Sequence, residues 1–242
     1  GFSKGADAYA RGRPDYPAGI IGWLKGELGL KAGATVVDLG AGTGKFTPCL
    51  VATGAKVIAV EPVAAMRAKL ASLQVEVLAG AATAIPLPSS SVDAVVCAQS
   101  FHWFANPEAL AEIRRVLKPG GRLGLVWNAK DDRVGWLARL NRILERYQGD
   151  APRFQSGEWR RAFPAEGFGP LHEERFSHGY TGTPEEVVVD RTRSTSFMAA
   201  LPPEEWAGVE RELRTLIAEE FGEADAVTTP YETFAYWVEK VQ

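Results

Sequence analysis

Only two cysteines, Cys49 and Cys97, occur in the 242 residues, too few for a disulfide framework or the usual cysteine-rich zinc sites. An excess of one charge is also missing. With 27 Lys+Arg against 30 Asp+Glu the formal net charge is −3, which lacks the basic surplus of a general nucleic-acid binder. No apolar run approaches the ~18 residues of a membrane span, and Gly1 to Gly19 contains no apolar signal core. Fixed-period repeats and Ser/Gly linkers are absent, and 25 glycines and 15 prolines fall well short of the ~25% of low-complexity chains. These absences lead us to expect a cytoplasmic protein with no membrane span, folded as a single domain over 1–242.

What is present is an alternation of short apolar runs and amphipathic segments. Thr35–Leu39, Val57–Val60, Val75–Leu78, Val92–Ala98 and Leu123–Trp127 read as strands, and their lack of polar alternation marks strands buried on both faces. Between them, Pro17–Leu28, about Gly44 to Thr53, Val63–Leu73 and a segment opened by Asn106-Pro107-Glu108 read as helices. Asparagine suits the cap there and proline the first helical position. This repetition predicts an α/β fold, a doubly wound parallel sheet covered by helices on both faces. The second half is less regular. Trp136–Tyr147 and Trp206–Ile217 have helical phase, Leu171–Tyr180 suits an edge strand, and Tyr231–Val238 suits a last strand. Thr183-Pro184-Glu185-Glu186 has the spacing of a capping box.

The sharpest feature is Val36-Val37-Asp38-Leu39-Gly40-Ala41-Gly42-Thr43-Gly44, a buried strand running through G-x-G-x-G into a helix. Glycines there allow a tight turn and let a ligand approach the backbone at a helix N-terminus. The next strand ends in Glu61, placed where an acid can take both hydroxyls of a ribose. On these residues alone Glu61 also fits a solvated position after a strand. The dinucleotide loop G-x-G-x-x-G is not matched, because the third glycine comes one residue early. The phosphate loop also fails, with Phe46 where Ser or Thr belongs. Asp38, just before the first glycine, would repel a pyrophosphate but could serve an ammonium or a water network.

These residues resemble motif I of the class I S-adenosylmethionine-dependent methyltransferases. The resemblance continues through Glu61-Pro62 with Met66, Ile85-Pro86-Leu87-Pro88, Val92-Asp93-Ala94-Val95 and Arg115-Val116-Leu117-Lys118-Pro119-Gly120-Gly121. More narrowly, Phe2-Ser3-Lys4 to Arg13-Pro14-Asp15-Tyr16-Pro17, His102-Trp103-Phe104, Val126-Trp127-Asn128 and Pro230-Tyr231-Glu232-Thr233 resemble the ubiquinone/menaquinone and trans-aconitate methyltransferases. The resemblance implies a Rossmann-like sheet of seven strands, mostly parallel with the last antiparallel. An N-terminal lid and helix (1–30), a cofactor core (35–128) and a helically decorated C-terminal half (129–242) go with it. It further implies S-adenosyl-L-methionine as cofactor, S-adenosyl-L-homocysteine as product and a small-molecule substrate, in a monomer or homodimer. Asp38, Gly40, Ala41, Gly42, Gly44, Glu61, Pro62, Met66, Ala82 and Gln99 would contact the cofactor. Glu61 would take the ribose hydroxyls, a ligand contact whose loss leaves the empty protein's melting nearly unchanged. One departure is Gly80-Ala81-Ala82-Thr83, where the family usually has an acid at the second position to accept from the adenine amine.

His102, after the fourth strand, is either a general base or a structurally packed side chain, and a carboxylate acceptor would need no base at all. Phe101, Trp103 and Phe104 are either walls for a sulfonium, which aromatic faces stabilise, or simply core. Tyr9, Arg13, Trp103, Trp127 and Arg193 are the candidate substrate or lid residues. Arg191 and Arg193, with Ser194 and Ser196, are either a clamp for an acidic substrate or a solvated helix face. His172 and His178 have no further ligands nearby in sequence, so no metal site is expected. A nicotinamide dehydrogenase and a non-catalytic adenosyl-ligand binder remain the rival readings. The first expectation for the methyl acceptor is a carboxylate of an organic acid, and the second a ring carbon or hydroxyl.

Overall fold

The computed structural model describes residues 14–150 and 152–241. The elements named here are α1 (Gly19–Gly26), β1 (Thr35–Leu39), α2 (Thr47–Val51), β2 (Lys56–Val60), α3 (Ala64–Leu70), β3 (Glu76–Leu78) and β4 (Val92–Ala98). They continue with α4 (Pro107–Val116), β5 (Leu117–Lys130), α5 (Gly135–Gln148), β6 (His172–Gly182), α6 (Pro203–Phe221) and β7 (Val227–Glu239). Among the described residues the strands form one seven-stranded sheet, ordered β3-β2-β1-β4-β5-β7-β6. The first five of that order pair in parallel. β7 runs antiparallel to its neighbours. The Lys240 N–H donates to the Gly121 carbonyl and the Asp131 N–H to that of Pro230, so the two chains advance in opposite senses. The expected topology, including the reversed last strand and an edge strand at β6, is what the sheet shows.

The chain divides into two compact units. One comprises Tyr16–Asn128, Pro152–Phe176 and Thr233–Gln242 and carries the parallel strands. Consecutive strand residues feed opposite cores there. Val37, Ile58, Val95 and Leu125 join Leu110, Ile113 and Val116 of α4 on one side. Val36, Val57, Ala94, Val96 and Val126 join Ile20, Trp23 and Leu24 of α1 and Leu50 of α2 on the other. Burial on both faces is why these strands carry no polar alternation. Asn106 Oδ1 accepts from the Ala109 N–H at 2.8 Å with Pro107 at the first helical position, the cap its sequence called for.

The expected short strand Leu123–Trp127 is the middle of a longer one. α4 stops at Val116, and Leu117 already pairs with Val92. Lys118–Gly121 then bulges out, because Ala94 pairs next with Arg122. Asp93 closes the bulge, accepting from Lys118 Nζ at 2.8 Å and from the Thr35 N–H at 2.8 Å. A Cβ on Gly121 would lie 2.9 Å from the Lys118 carbonyl oxygen and 3.0 Å from that of Asp93, so the bulge needs glycine.

The other unit includes Ala129–Ala151 and Ser177–Glu232. Its core joins Trp136, Leu137 and Leu140 of α5 to Val209, Leu213 and Leu216 of α6 and to Val187–Val189. The Thr183 motif is a reciprocal capping box. Glu186 Oε2 accepts from the Thr183 N–H at 2.8 Å and the Glu186 N–H donates to Thr183 Oγ1 at 3.2 Å. The turn it opens is a π-helix, Glu185–Asp190. α5 and α6 exchange surface ion pairs, Arg139 with Glu219 and Glu220 and Arg146 with Glu212. Exposed pairs of this kind are screened by solvent and add little to stability.

Candidate functional site

The glycine turn after β1 is anchored at its start. The Gly40 and Ala41 N–H groups donate to the Val60 carbonyl at the end of β2, at 2.8 and 3.3 Å. Gly40, Gly42 and Gly44 all have positive φ, of +68°, +60° and +85°, but they differ in what surrounds them. A Cβ on Gly40 would lie 2.8 Å from Ser100 Cβ, and one on Gly44 would lie 2.3 Å from Leu73 Cδ1. On Gly42 its nearest neighbour would be Met66 Sδ at 3.9 Å. Gly40 and Gly44 are therefore set by packing, whereas Gly42 borders open space. Of the three, only Gly42 leaves room for atoms beyond its Cα.

Glu61 is 4% exposed. Its Oε2 accepts from the Gly42 N–H at 2.9 Å and its Oε1 from the Val63 N–H at 2.9 Å. It is thus a clasp between the first glycine turn and the start of α3, beyond the ligand contact expected of it. Arg67 braces the same corner, donating to the Glu61 carbonyl at 2.8 Å and the Pro62 carbonyl at 2.6 Å. Pro62 itself is exposed, and Met66 is buried beside Gly42.

Asp38 is buried and accepts from Thr47 Oγ1 at 2.7 Å. Burial pushes its carboxyl up to about 6, with the Thr47 hydroxyl opposing and the Glu61 charge adding to the rise. Thr47, in the first turn of α2, escaped the sequence reading; it is the hydroxyl that satisfies a buried acid. After β3, a tight turn joins Ala81 to Ala84, whose N–H donates to the Ala81 carbonyl at 3.0 Å. Ala81 is exposed, and Ala82 packs into the core.

β4 leads into the second wall. Gln99 sits at φ +57° and donates its Nε2 to the Asn128 carbonyl at 3.1 Å. Ser100, also missed in the sequence, is buried and donates to the Leu39 carbonyl at 2.8 Å, tying this segment to the end of β1. Phe101–Trp103 forms a 3₁₀ turn. In it Phe101 is core, His102 half-buried and Trp103 45% exposed. Trp127, expected as a substrate-side residue, is instead fully enclosed, packed on Trp159 at 4.6 Å and stacked on Phe154 at 4.9 Å. Its Nε1 donates to His102 Nδ1 at 3.0 Å. Aromatic residues from 154 and 159 close over that face of the sheet, which the phase of β5 alone does not reveal.

Tyr9 and Arg13 lie outside the described residues. In the second unit Arg193 is exposed, its guanidinium 5.1 Å over the Trp206 ring. Arg191 is half-buried, donating to Tyr231 Oη at 3.3 Å, Ser194 Oγ at 3.3 Å and Thr195 Oγ1 at 3.4 Å. Burial, with Arg191 nearby, holds the Lys130 ammonium well below the usual lysine range. His172 stacks on Trp237 and His178 on Tyr231. No helix among the described residues is long and apolar enough to cross a membrane, and none of them gather as a three-ligand metal group.

Parallel strands that end in a glycine turn and an acid define a Rossmann-like α/β protein. The comparisons sharpen this. A family model described as a methyltransferase domain matches residues 37–125. The chain is 44% identical over 246 residues to a methyltransferase-like protein of Schizosaccharomyces pombe, covering 99% of this chain and 95% of that one. It is 39% identical over 102 residues to the demethylmenaquinone methyltransferase of Thermus thermophilus, covering 38% and 46%. Among solved structures, the YcgJ protein of Bacillus subtilis shares the fold at a TM-score of 0.60 and 20% identity, covering 92% of this chain and 98% of that one. The chain belongs to the class I S-adenosylmethionine-dependent methyltransferases.

Proposed function

We propose that this methyltransferase binds S-adenosyl-L-methionine at the β1 and β2 ends and moves its methyl group to a small molecule. The first choice of acceptor is the carboxylate of an organic acid, and the second a ring carbon or hydroxyl. The cofactor, when bound, supplies an electrophilic methyl on a sulfonium. Gly40, Ala41, Gly42 and Gly44 border its amino-acid part, Glu61 takes the ribose hydroxyls, and Pro62, Met66 and the Ala82 backbone flank the adenine. Asp38 and Gln99 complete the contacts, and Trp103 is the aromatic wall on the acceptor side.

The observation that carries this reading is the Glu61–Gly42 bond. A carboxylate has about four acceptor positions, and the two backbone N–H groups use one on each oxygen. One position per oxygen remains for a diol, with the carboxylate already oriented. The open face of Gly42 beside Met66 leaves room for a ligand next to that carboxylate. Without an acid at Ala81, the adenine amine loses one hydrogen bond, which is worth ~0.5–1.5 kcal/mol and is no bar to binding.

Titration calorimetry with S-adenosyl-L-methionine and S-adenosyl-L-homocysteine tests the cofactor. Binding should be saturable, and NAD should bind far more weakly. A metabolite panel read by S-adenosyl-L-homocysteine release tests the acceptor. Tight binding without any acceptor-dependent release would favour the non-catalytic adenosyl binder.

A further inference from the structure

We propose that Lys130 and Arg191 form an anion site in the second unit, a cradle of two cations and the Tyr231 hydroxyl for one oxyanion group, a carboxylate or a phosphate. The site goes beyond the function proposed above. Such a group can belong to an acidic methyl acceptor or to a free anion, and the test separates the two.

The two cations meet at Tyr231. The Asp131 N–H donates to the Pro230 carbonyl across the antiparallel pair of β5 and β7, so Lys130, the last residue of β5, lies opposite Tyr231. Residues directly opposed in such a pair share one face, with Cβ atoms about 4.5–5.5 Å apart. Arg191 reaches the same tyrosine, its Nε donating to Tyr231 Oη at 3.3 Å. Tyr231 is itself held in place, buried and stacked on His178.

Neither cation has a carboxylate for a partner among the described residues. In the same unit Arg133, Arg139, Arg146 and Arg214 each hold one. Asp131 is taken by Arg133, and Asp132 accepts from Asn141 Nδ2. Arg191 bonds only to neutral hydroxyls, those of Ser194 and Thr195 through Nη1 and that of Tyr231 through Nε. Among the described residues its Nη2 and the Lys130 ammonium donate to no group, and neither does the Tyr231 hydroxyl. That leaves two N–H donors on the guanidinium, three on the ammonium and one O–H unspent. Both cations are half-buried. Burial and the Arg191 charge hold the Lys130 ammonium well below the usual lysine range, with the Asp132 charge opposing them. An oxyanion between them would replace that repulsion with charge-assisted hydrogen bonds. Arg193, two residues on, lies over Trp206 and takes no part. Ligands of open α/β sheets lie off the carboxyl ends of the strands, and Lys130 is such an end.

The test is titration calorimetry of the full chain with succinate and with inorganic phosphate, at constant ionic strength set by chloride. The wild type should bind at least one of them saturably. Lys130→Met and Arg191→Gln should each weaken that binding about tenfold or more, as the loss of a charge-assisted bond implies. Lys31→Met, at an exposed lysine, should bind as the wild type does. Empty Lys130→Met should melt no lower than wild type, because the cation it removes has no partner to lose. A lysine with only a structural role would show the reverse, a lower melting temperature with unchanged anion affinity, and would overturn the site. No saturable binding of either anion, or equal weakening in Lys31→Met, would overturn it too. Lys130→Met decides even where Arg191→Gln does not fold. In turnover with organic acids, a KM raised about tenfold by Lys130→Met with kcat little changed assigns the site to the acceptor. An unchanged KM beside lost anion binding assigns it to a free anion. No turnover with any acceptor would count against the function proposed above and leave the binding result standing.

Discussion

Glu61 accepts the Gly42 N–H at 2.9 Å, joining the acid at the end of β2 to the middle glycine of the turn after β1. A second buried-side bond, from the Val63 N–H at 2.9 Å, uses its other oxygen. The acid thus shapes the turn before any ligand arrives. For the cofactor site proposed above, binding would then cost little reorganisation, because the carboxylate and the turn are already in place.

Removing Glu61 should therefore act twice. Glu61→Ala leaves two backbone donors without their partner, at ~1–3 kcal/mol for a donor left buried. The empty protein should melt several degrees lower, since ~1 kcal/mol moves a chain of this size by about 2–4 °C. Affinity for S-adenosyl-L-methionine should fall by ~1.5–3 kcal/mol as well. The sequence reading expected only the second effect. Calorimetry with and without ligand separates them, and an unchanged melting temperature would deny the clasp.

The three glycines should separate in the same way. Gly44→Ala forces a methyl to within 2.3 Å of Leu73 Cδ1 and 2.7 Å of Leu70 Cδ2, so its loss should appear in stability, at ~1–3 kcal/mol for overpacking. Gly42→Ala meets no such wall. It costs only the ~1–2 kcal/mol of a left-handed alanine, while its methyl fills the face proposed for the ligand. Thermal melting should show the larger fall for Gly44→Ala, and cofactor titration the larger loss for Gly42→Ala. The reverse order would misplace the site.

β1 and β4 have the bounds their apolar runs suggest, because burial on both faces leaves an uninterrupted hydrophobic signature. β7 begins four residues before the expected Tyr231, since Pro230 lacks the N–H of a strand interior, while its carbonyl still accepts from the Asp131 N–H across the sheet. β5 starts six residues early for the same reason: Pro119-Gly120-Gly121 looks like a helix stop and is a bulge. At the site, the glycines and Glu61 stood out because their chemistry is local. The Thr47–Asp38, Ser100–Leu39 and Trp127–His102 bonds join residues 9, 61 and 25 apart. No periodicity encodes such pairs, so the role of Trp127 as a partner for His102 appears only in the fold.

The two cysteines should react differently. Cys97 is buried in β4, and burial pushes its thiol well up, with the Asp38 charge adding to the rise. Cys49, on α2, is half-buried. Iodoacetamide at mildly alkaline pH should modify Cys49 in the native protein and Cys97 only after unfolding, as read by mass spectrometry of peptides. Native-state labelling of Cys97 at a comparable rate would mean that the core around β4 opens far more readily than its burial implies.

Asp38 makes the pH dependence of stability predictable in sign. Its carboxyl is ordinary in the unfolded chain, near 3.8, and is raised to about 6 in the fold. Between those values the native state holds the extra proton, so stability falls as pH rises through this window and the loss is complete above it. The shift corresponds to roughly 3 kcal/mol, as an upper figure for one group. Asp38→Asn removes the ionisation yet keeps an oxygen for Thr47 Oγ1 to donate to. The variant should melt higher than wild type at pH 7–8, by several degrees. The difference should shrink as pH drops through the window and vanish near its lower end, where wild-type Asp38 is protonated in both states. Melting curves of the empty protein across this range test the sign directly. A variant that is less stable at neutral pH, or a difference that grows toward acid, would show that the buried carboxylate is paired in the fold and that its pKa lies below the ordinary value.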